Sequence, residues 1–367
     1  MNTTALDVSV VLPTYNEAKN LPVMIPAIIE ALKNANINGE VIVVDDQSPD
    51  QTGNVSRLLA KTYAVQTIVR QERGLATAVL TGFNASKASV VVVMDADGSH
   101  PVNRLSEMIR PILDGKADIT VGSRYMPGGE IDNWPVHRLI ISKGASMLTR
   151  GITNMSDPTS GFMAIKRELT QTHTYNPVGW KIVLEIVVKT TPARLKEIPI
   201  SFSDRIHGES KLTLKQNWEY LRHLRRLYAY RYQTLLQFLK FSLVGGSGVL
   251  IDMLIVALLK ESLDFNIRLC AIFGFLGAVG SNYILNKFWT FKANNHQDFR
   301  KFVTFIGICS IGLSARIMVI HVLDSMYGTL LHYQLINLAG IVMASAINFW
   351  GSKRLVFSPR RPKTPLS

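Results

Sequence analysis

The sequence is nearly devoid of cysteine. Only Cys270 and Cys309 occur in 367 residues, and both fall inside apolar stretches. That excludes a disulfide framework and a cysteine-ligated zinc site. Acid is also scarce: 27 Asp and Glu face 40 Lys and Arg, a formal charge of +13. Such a balance suits phosphates and anionic lipid surfaces. Nucleic acid is the other partner of basic chains, but no nucleic-acid-binding motif is present and none is expected. The opening stretch, MNTTALDVSVVLPTYNE, lacks a charged segment followed by an apolar run. No signal peptide is therefore expected, and the N-terminal part is expected on the cytoplasmic side.

Apolar residues are plentiful, at 47%, and unevenly placed. The length fits two domains better than one. Residues 1–211 read as a mixed globular domain. Short Val/Ile runs, Val8–Leu12, Glu40–Val44, Gln66–Val69, Val90–Met94 and Ile119–Gly122, alternate with helical stretches such as Leu21–Lys33 and Gly74–Ala85. That alternation predicts a mostly parallel, Rossmann-like α/β sheet covered on both faces. Ligands on such sheets bind beyond the carboxyl ends of the strands.

Residues 212–234 carry Lys215, Arg222, Arg225, Arg226 and Arg231, with Leu214, Trp218, Leu221, Leu224 and Tyr228 interleaved at helical spacing. This reads as amphipathic helix on a membrane surface, against the plainer reading of a helix packed on the soluble domain. Residues 235–357 hold four apolar spans, near Phe241–Leu259, Leu269–Leu285, Phe302–Leu323 and Tyr333–Trp350. Each approaches the ~20 residues that cross a bilayer, so an all-α domain of four transmembrane helices is expected. Lys287, Lys292, Arg300 and Lys301 flank the middle loop, and residues 358–367 form a basic tail. Ser325–His332 carries neither Lys nor Arg. By the positive-inside rule both termini and the middle loop face the cytoplasm. Asp252 and Arg316 fall at similar depths inside spans one and three, and an ion pair between them is expected, against the plainer reading that each finds its own partner, such as Asn282, Asn337 or Asn348, or that Arg316 reaches toward the far interface.

The strand ends carry the chemistry. Pro13, Tyr15 and Glu17 follow the first strand and Asp46 the second, where a nucleoside would lie. Asp95 and Asp97 follow the fourth, and paired carboxylates at such a turn suit Mg²⁺ or Mn²⁺, which in turn binds a diphosphate. Alone, Asp-x-Asp is a weak signal, since acids commonly end strands. Further pieces follow in order: Gly122-Ser123-Arg124-Tyr125, Arg138 with Ser142, Asp157-Pro158-Thr159-Ser160-Gly161-Phe162, and Asp204 through Lys211.

Together these pieces resemble family 2 glycosyltransferases of the GT-A fold, and more narrowly the dolichyl- or polyprenyl-phosphate mannose synthases. The resemblance covers about residues 6–230. The last segment resembles the GtrA-like four-span domain, through Asn286-Lys287-Phe288-Trp289-Thr290-Phe291 and the stretch from Asn348 to Phe357. The resemblance implies an enzyme of microbial membranes that transfers mannose from GDP-mannose to a polyprenyl or dolichyl phosphate. The alternatives are a glucose or other hexose synthase using a UDP-sugar, and a lipid-linked sugar flippase role for the membrane part. A processive polysaccharide synthase is disfavoured, because Gln-x-x-Arg-Trp is absent.

The same resemblance assigns residues. Asp95 and Asp97 hold the metal, and Ser99 stands where some members place a Gln ligand. Pro13, Tyr15, Glu17, Asp46, Asp95, Arg205 and Lys211 bind the nucleotide-sugar. Arg124, Arg138 and Ser142 hold the acceptor phosphate, and Asp95, Asp97 and Arg124 are the catalytic set. The oligomeric state stays open. Arginine forks suit a phosphate bidentately, which agrees with the acceptor assignment. A phosphate monoester, with a second pKa of roughly 6, is already largely a dianion at neutral pH, so no general base is required. In-line attack inverts the anomeric centre. His100, His173 and His207 read as ordinary polar residues.

Overall fold

The computed structural model describes residues 5–131, 136–176, 181–202, 214–293, 298–327 and 331–358; of 136–138, 214–216, 298, 333 and 334 it describes the backbone alone. The chain divides into two compact units, 1–231 and 232–367.

In the first unit, β1 (Val8–Thr14), α1 (Leu21–Asn34), β2 (Gly39–Asp45), α2 (Thr52–Leu59), β3 (Val65–Val69), α3 (Leu75–Ala85), β4 (Val90–Val93), α4 (Leu105–Leu113) and β5 (Ile119–Ser123) alternate as the hydrophobic pattern requires. Then come β6 (Glu130–Ile131), α5 (Val136–Met147), β7 (Met163–Lys166), α6 (Arg167–Gln171), α7 (Ile182–Thr190), β8 (Leu195–Pro199), β9 (Ser201–Phe202) and α8 (Leu214–Arg231). Seven strands form one sheet in the order β3-β2-β1-β4-β7-β5-β8. β7 runs antiparallel between β4 and β5, and the other pairings are parallel. β1 and β4 are buried along their whole length, because helices cover both faces. One face packs Val10, Leu12, Val43 and Val92 on α1 and α4. The other packs Val11, Val44, Val91 and Val121 on α3 and α7.

Helix α8 belongs to this unit. Leu224 and Leu227 are buried against Ile152, Leu184 and Val188. Tyr220 and Tyr228 donate to the carbonyls of Ala145 and Leu148, tying α8 to α5 and the turn after it. The other face of α8 leaves Trp218 and Leu221 exposed, as α5 leaves Ile140 and Ile141. Its apolar stripe is therefore divided between the domain core and solvent. The plainer soluble-helix reading describes Leu224 and Leu227, whereas Trp218 and Leu221 lie on the exposed face.

The second unit is two helical hairpins. α9 (Gln233–Leu263) pairs with α10 (Ile267–Leu285), and α11 (Asp298–Tyr327) with α12 (Tyr333–Gly351). All four are long and apolar enough to cross a membrane. A five-residue π-helical turn follows α10 at Asn286–Thr290 and another follows α12 at Ser352–Val356. The expected Asp252–Arg316 ion pair is not formed. Arg316 donates to Asn337 of α12 at 2.9 Å, whereas Asp252 lies against Gly274 of α10. Each charge turns toward the partner helix of its own hairpin. Similar depth was a poor guide because α9 and α11 belong to different hairpins.

Candidate active site

The carboxyl ends of β1, β2, β4 and β5 bring the predicted residues toward one edge of the sheet. Behind β1 and β2 the two loops are laced together. Asn16, at φ +63°, donates its backbone N–H to Ser48, Glu17 to Thr52, and Ala18 to Asp50. Burial alone would raise the Asp50 carboxyl, but hydrogen bonds from Thr52 and Ala18 hold it below the usual range. Pro13 sits in β1, paired with Val44. Tyr15 is exposed, with Arg73 4.7 Å over its ring. Asp46 accepts from Arg70 Nε at 2.5 Å and from the backbone of Gly74 at 2.8 Å, so its buried carboxylate fixes the entry to α3. The loops after β1 and β2 are thus held in place by their own hydrogen bonds.

After β4 the chain turns through Asp95, Ala96, Asp97 and Gly98. Gly98 takes φ +81°, which lets Ser99 fold back on Asp97. The Ser99 backbone and hydroxyl both donate to Asp97 Oδ1, at 3.0 and 2.6 Å. Asp97 is buried and held, whereas the Asp95 side chain is about a third exposed, at 32%. Ser99 thus orients the Asp97 carboxylate.

His100 is not a polar surface residue. Its ring is buried, stacks on Phe162 with centroids 5.2 Å apart, and meets Phe202 edge-on at 5.8 Å. Its Nδ1 accepts the Asp95 backbone N–H at 2.9 Å, which places the proton on Nε2, 3.9 Å from the Asp95 carboxylate. Burial pushes the imidazole below its ordinary pKa, against the pull of Asp95 and Asp97, so the ring is neutral. Gly161 packs under this turn, where an added Cβ would lie 3.4 Å from His100 and 3.6 Å from Asp95.

Arg124 follows β5. Its Nε and Nη2 reach the two oxygens of Asp157 at 2.7 and 2.8 Å, and Nη2 also reaches Thr159 at 2.7 Å. Its backbone donates to the same carboxylate. Burial disfavours both charges, yet their contact raises the arginine's pKa and lowers the aspartate's. Phe202 lies 5.2 Å from the guanidinium, so its ring stands between His100 and Arg124. Tyr125, the next residue, donates to Ser142 on α5 at 2.7 Å, which brings Ser142 to the same strand end. Arg205 and Lys211 lie outside the described residues, as does the side chain of Arg138.

The profile of "Glycosyl transferase family 2" matches residues 9–174, and that of "GtrA/DPMS, transmembrane domain" matches residues 240–357. A dolichol-phosphate mannosyltransferase of Pyrococcus furiosus is 37% identical over 350 residues, 94% of this chain and 97% of that protein. The chain belongs to the dolichol-phosphate mannosyltransferase family. It is a glycosyltransferase with a GT-A-type sheet and a four-helix membrane domain. A polyprenol monophosphomannose synthase of Mycolicibacterium smegmatis is 36% identical over 217 residues, 56% of this chain and 80% of that protein. Among solved structures, mannosyl-3-phosphoglycerate synthase from Rubrobacter xylanophilus superposes with a TM-score of 0.47 at 18% identity, over 62% of this chain and 74% of that one.

In this mannosyltransferase-family site three residues escaped the sequence reading. His100 and Phe202 gain their meaning from packing, which no local pattern announces. Lys181, just before α7, is the third. Its burial pushes the ammonium down to about 8, Arg124 adds to that, and Asp157 and Asp95 oppose it. The available signal was a lysine directly before the apolar run Ile182-Val183-Leu184 that opens α7. Among the described residues no three His, Cys, Asp or Glu side chains gather to hold a metal. Asp95 and Asp97 fit a Mg²⁺- or Mn²⁺-type ion that takes the rest of its oxygens from a diphosphate and water, the usual arrangement for Mg²⁺.

Proposed function

We propose that the enzyme transfers mannose from GDP-mannose to the phosphate of a polyprenyl or dolichyl lipid, with inversion, at the cytoplasmic face of a membrane. The observation that carries this reading is the arrangement of two differently charged centres. The Asp95–Asp97 turn and the Arg124–Asp157 pair are neighbours, with Phe202 against both His100 and Arg124. The names of the relatives supply the sugar and the class of acceptor.

Asp95 and Asp97 would hold Mg²⁺ or Mn²⁺, which when bound offsets the charge gathering on the departing diphosphate. Arg205 and Lys211 are assigned to the same diphosphate. Pro13, Tyr15, Glu17 and Asp46 are assigned to the nucleoside, on the laced β1–β2 loops. Arg124, Arg138 and Ser142 are assigned to the acceptor phosphate, which attacks the anomeric carbon as a dianion without a general base. Asp157 and Thr159 take the Nε and Nη2 hydrogens of Arg124, so Nη1 is the end that would meet the acceptor phosphate, on a guanidinium already held in place, and little reorganisation remains at the transition state. Neutral His100 fixes the backbone that delivers Asp95.

The distribution of charge supports the membrane face, with only Lys260 and Arg268 of the basic residues at the α9–α10 end. Lys240, Lys287, Lys292, Arg300, Lys301 and Lys353 all sit at the bundle end where α9 and α11 begin and α10 and α12 finish. A donor panel of GDP-mannose, GDP-glucose, UDP-glucose and UDP-N-acetylglucosamine against phytanyl phosphate, each with and without divalent metal, tests the reading. Transfer from GDP-mannose with metal is expected. Preferred transfer from a UDP-sugar would overturn the donor assignment.

A further inference from the structure

The charges around β5 and α7 are matched, with one exception. Asp157 is saturated: Oδ2 accepts from the backbone and Nε of Arg124, and Oδ1 from Arg124 Nη2 and from the backbone and hydroxyl of Thr159. Arg124 and Asp157 together therefore carry no net charge. On α7, Lys189 reaches Glu185 at 2.6 Å. Lys181, directly before that helix, differs. It is partly buried, and among the described residues its ammonium has neither a hydrogen-bond acceptor nor a carboxylate partner.

Tyr220 shows where that ammonium lies. Lys181 Nζ is 5.9 Å from the centre of the Tyr220 ring, and the Tyr220 hydroxyl donates to Ala145 on α5 at 2.8 Å. About one turn earlier on α5 is Ser142, bonded to Tyr125, the residue after Arg124. Contacts thus run from Lys181 to Tyr220, from Tyr220 to α5, and from α5 to the end of β5. The electrostatics agree with them. The charges that act on Lys181 are Arg124, Asp157 and Asp95, drawn from both centres of the site.

A partly buried cation without an acceptor is costly on its own. At pH 7 the ammonium is still protonated, since burial brings it down only to about 8. An unpaired cation beside a transfer site calls for an anion that the substrate brings. An ammonium is a compact charge with three donors, and it suits a phosphate oxygen. The reaction offers two such groups, the acceptor phosphate and the donor diphosphate. The acceptor is favoured, because the contacts run through the helix of Ser142 and because Arg124 is already neutralised by Asp157.

We propose that Lys181 is a phosphate-binding residue of the transferase, its ammonium giving the acceptor phosphate the positive charge that the Arg124–Asp157 pair does not supply. This rests on the reading of that pair as the acceptor site, and the experiment keeps the two apart.

The full chain in detergent micelles is titrated with phytanyl phosphate and, separately, with GDP and Mn²⁺. Lys181→Met should weaken phytanyl phosphate by about 10- to 100-fold, the range for one hydrogen bond to a charged group, and leave GDP binding unchanged. Its melting temperature at pH 7 should rise, because the buried charge is gone, so that loss of binding is not loss of fold. Lys181→Arg keeps a cation and should keep most of the affinity. Weakening of GDP alone would assign the ammonium to the donor diphosphate, the other phosphate of the same reaction. Unchanged binding of both ligands would overturn the proposal, as would loss of both together with a lower melting temperature, the mark of a structural role. The double variant Arg124→Ala/Asp157→Ala separates the two readings. If it weakens phytanyl phosphate and Lys181→Met does not, only the role of Lys181 falls. If it leaves phytanyl phosphate binding intact, the acceptor site itself has been misplaced.

Discussion

The guanidinium of Arg124 is clasped by the carboxylate of Asp157 through two side-chain hydrogen bonds, with the arginine 6% and the aspartate 0% exposed. A buried pair of this kind has two roles that can be pulled apart. Removing one member leaves an uncompensated charge and costs roughly 3–5 kcal/mol. Arg124→Ala and Asp157→Ala should therefore each lower the melting temperature sharply. The double variant Arg124→Ala/Asp157→Ala should recover most of that stability, because neither charge is then stranded. It should not recover transfer if Arg124 holds the acceptor phosphate as proposed, since that cation is gone. Recovery of activity along with stability would make the pair purely structural.

The proposed metal role of the Asp95–Asp97 turn predicts a graded response. Asp97→Ala should reduce kcat by at least about 10²-fold, the scale for losing one preorganised electrostatic group. Ser99→Ala keeps the carboxylate but removes a 2.6 Å bond that aims it. That change should raise the Mn²⁺ concentration needed for half-maximal activity and leave the plateau within about tenfold. Full turnover of the native enzyme in EDTA would remove the metal from the mechanism.

Much of this site was legible because strand-end residues are local signals. Val90–Met94 is a buried run, and whatever follows it must emerge at the edge of the sheet. Five strand positions and all four spans could be read that way. β7 could not, because Met163–Lys166 is short and its antiparallel place between β4 and β5 is settled by pairing partners far away in sequence. Phe202 was invisible for a similar reason. A two-residue strand places its ring between His100 and Arg124 only once β9 has paired with β6. Helix α8 was misjudged in part because Leu224 and Trp218 look alike in a helical stripe, yet one meets Leu184 and the other meets solvent.

That division of α8 fixes where the catalytic unit can be cut. A chain ending near Tyr232 keeps Leu224, Leu227 and the Tyr220 and Tyr228 bonds, and should fold. A chain ending at Leu212 exposes Leu184 and Val188 and should be destabilised by several kcal/mol, given about 1.5–3 kcal/mol for each large buried side chain. Urea titration of the two truncations, compared by midpoint, decides it. Equal midpoints would mean α8 contributes nothing to the unit.

Lys181 gives the catalytic unit a pH signature. Its ammonium is held down at about 8 by burial, whereas an unfolded lysine titrates near ~10.4. Between those values the unfolded chain binds a proton that the native chain has released, so stability rises with pH across that window. Below it the native fold carries the cost of the buried charge. Lys181→Met should remove the rise between about pH 8 and 10 and stabilise the unit at pH 7. Asp118 has the opposite sense of charge and a different window. Its carboxyl is depressed chiefly by Arg194 and then by Lys166, so its contribution is present above ~4 and is lost as pH falls further. Asp118→Asn should flatten the acid side only.

The two charges in the membrane spans complete the set. Since Arg316 donates to Asn337 and Asp252 faces Gly274, the residues should be energetically independent despite their matched positions in the two hairpins. A double-mutant cycle on Asp252→Asn and Arg316→Gln, scored by melting temperature in detergent, should give additive losses, with a coupling energy under about 0.5 kcal/mol. Asn337→Leu should reproduce most of the Arg316→Gln loss, because it removes the same bond. Reversing both charges should likewise fail to restore stability, since neither head would find the other. Strong coupling in the Asp252–Arg316 cycle, together with a silent Asn337→Leu, would show that the two hairpins rearrange in the membrane to bring the charges together.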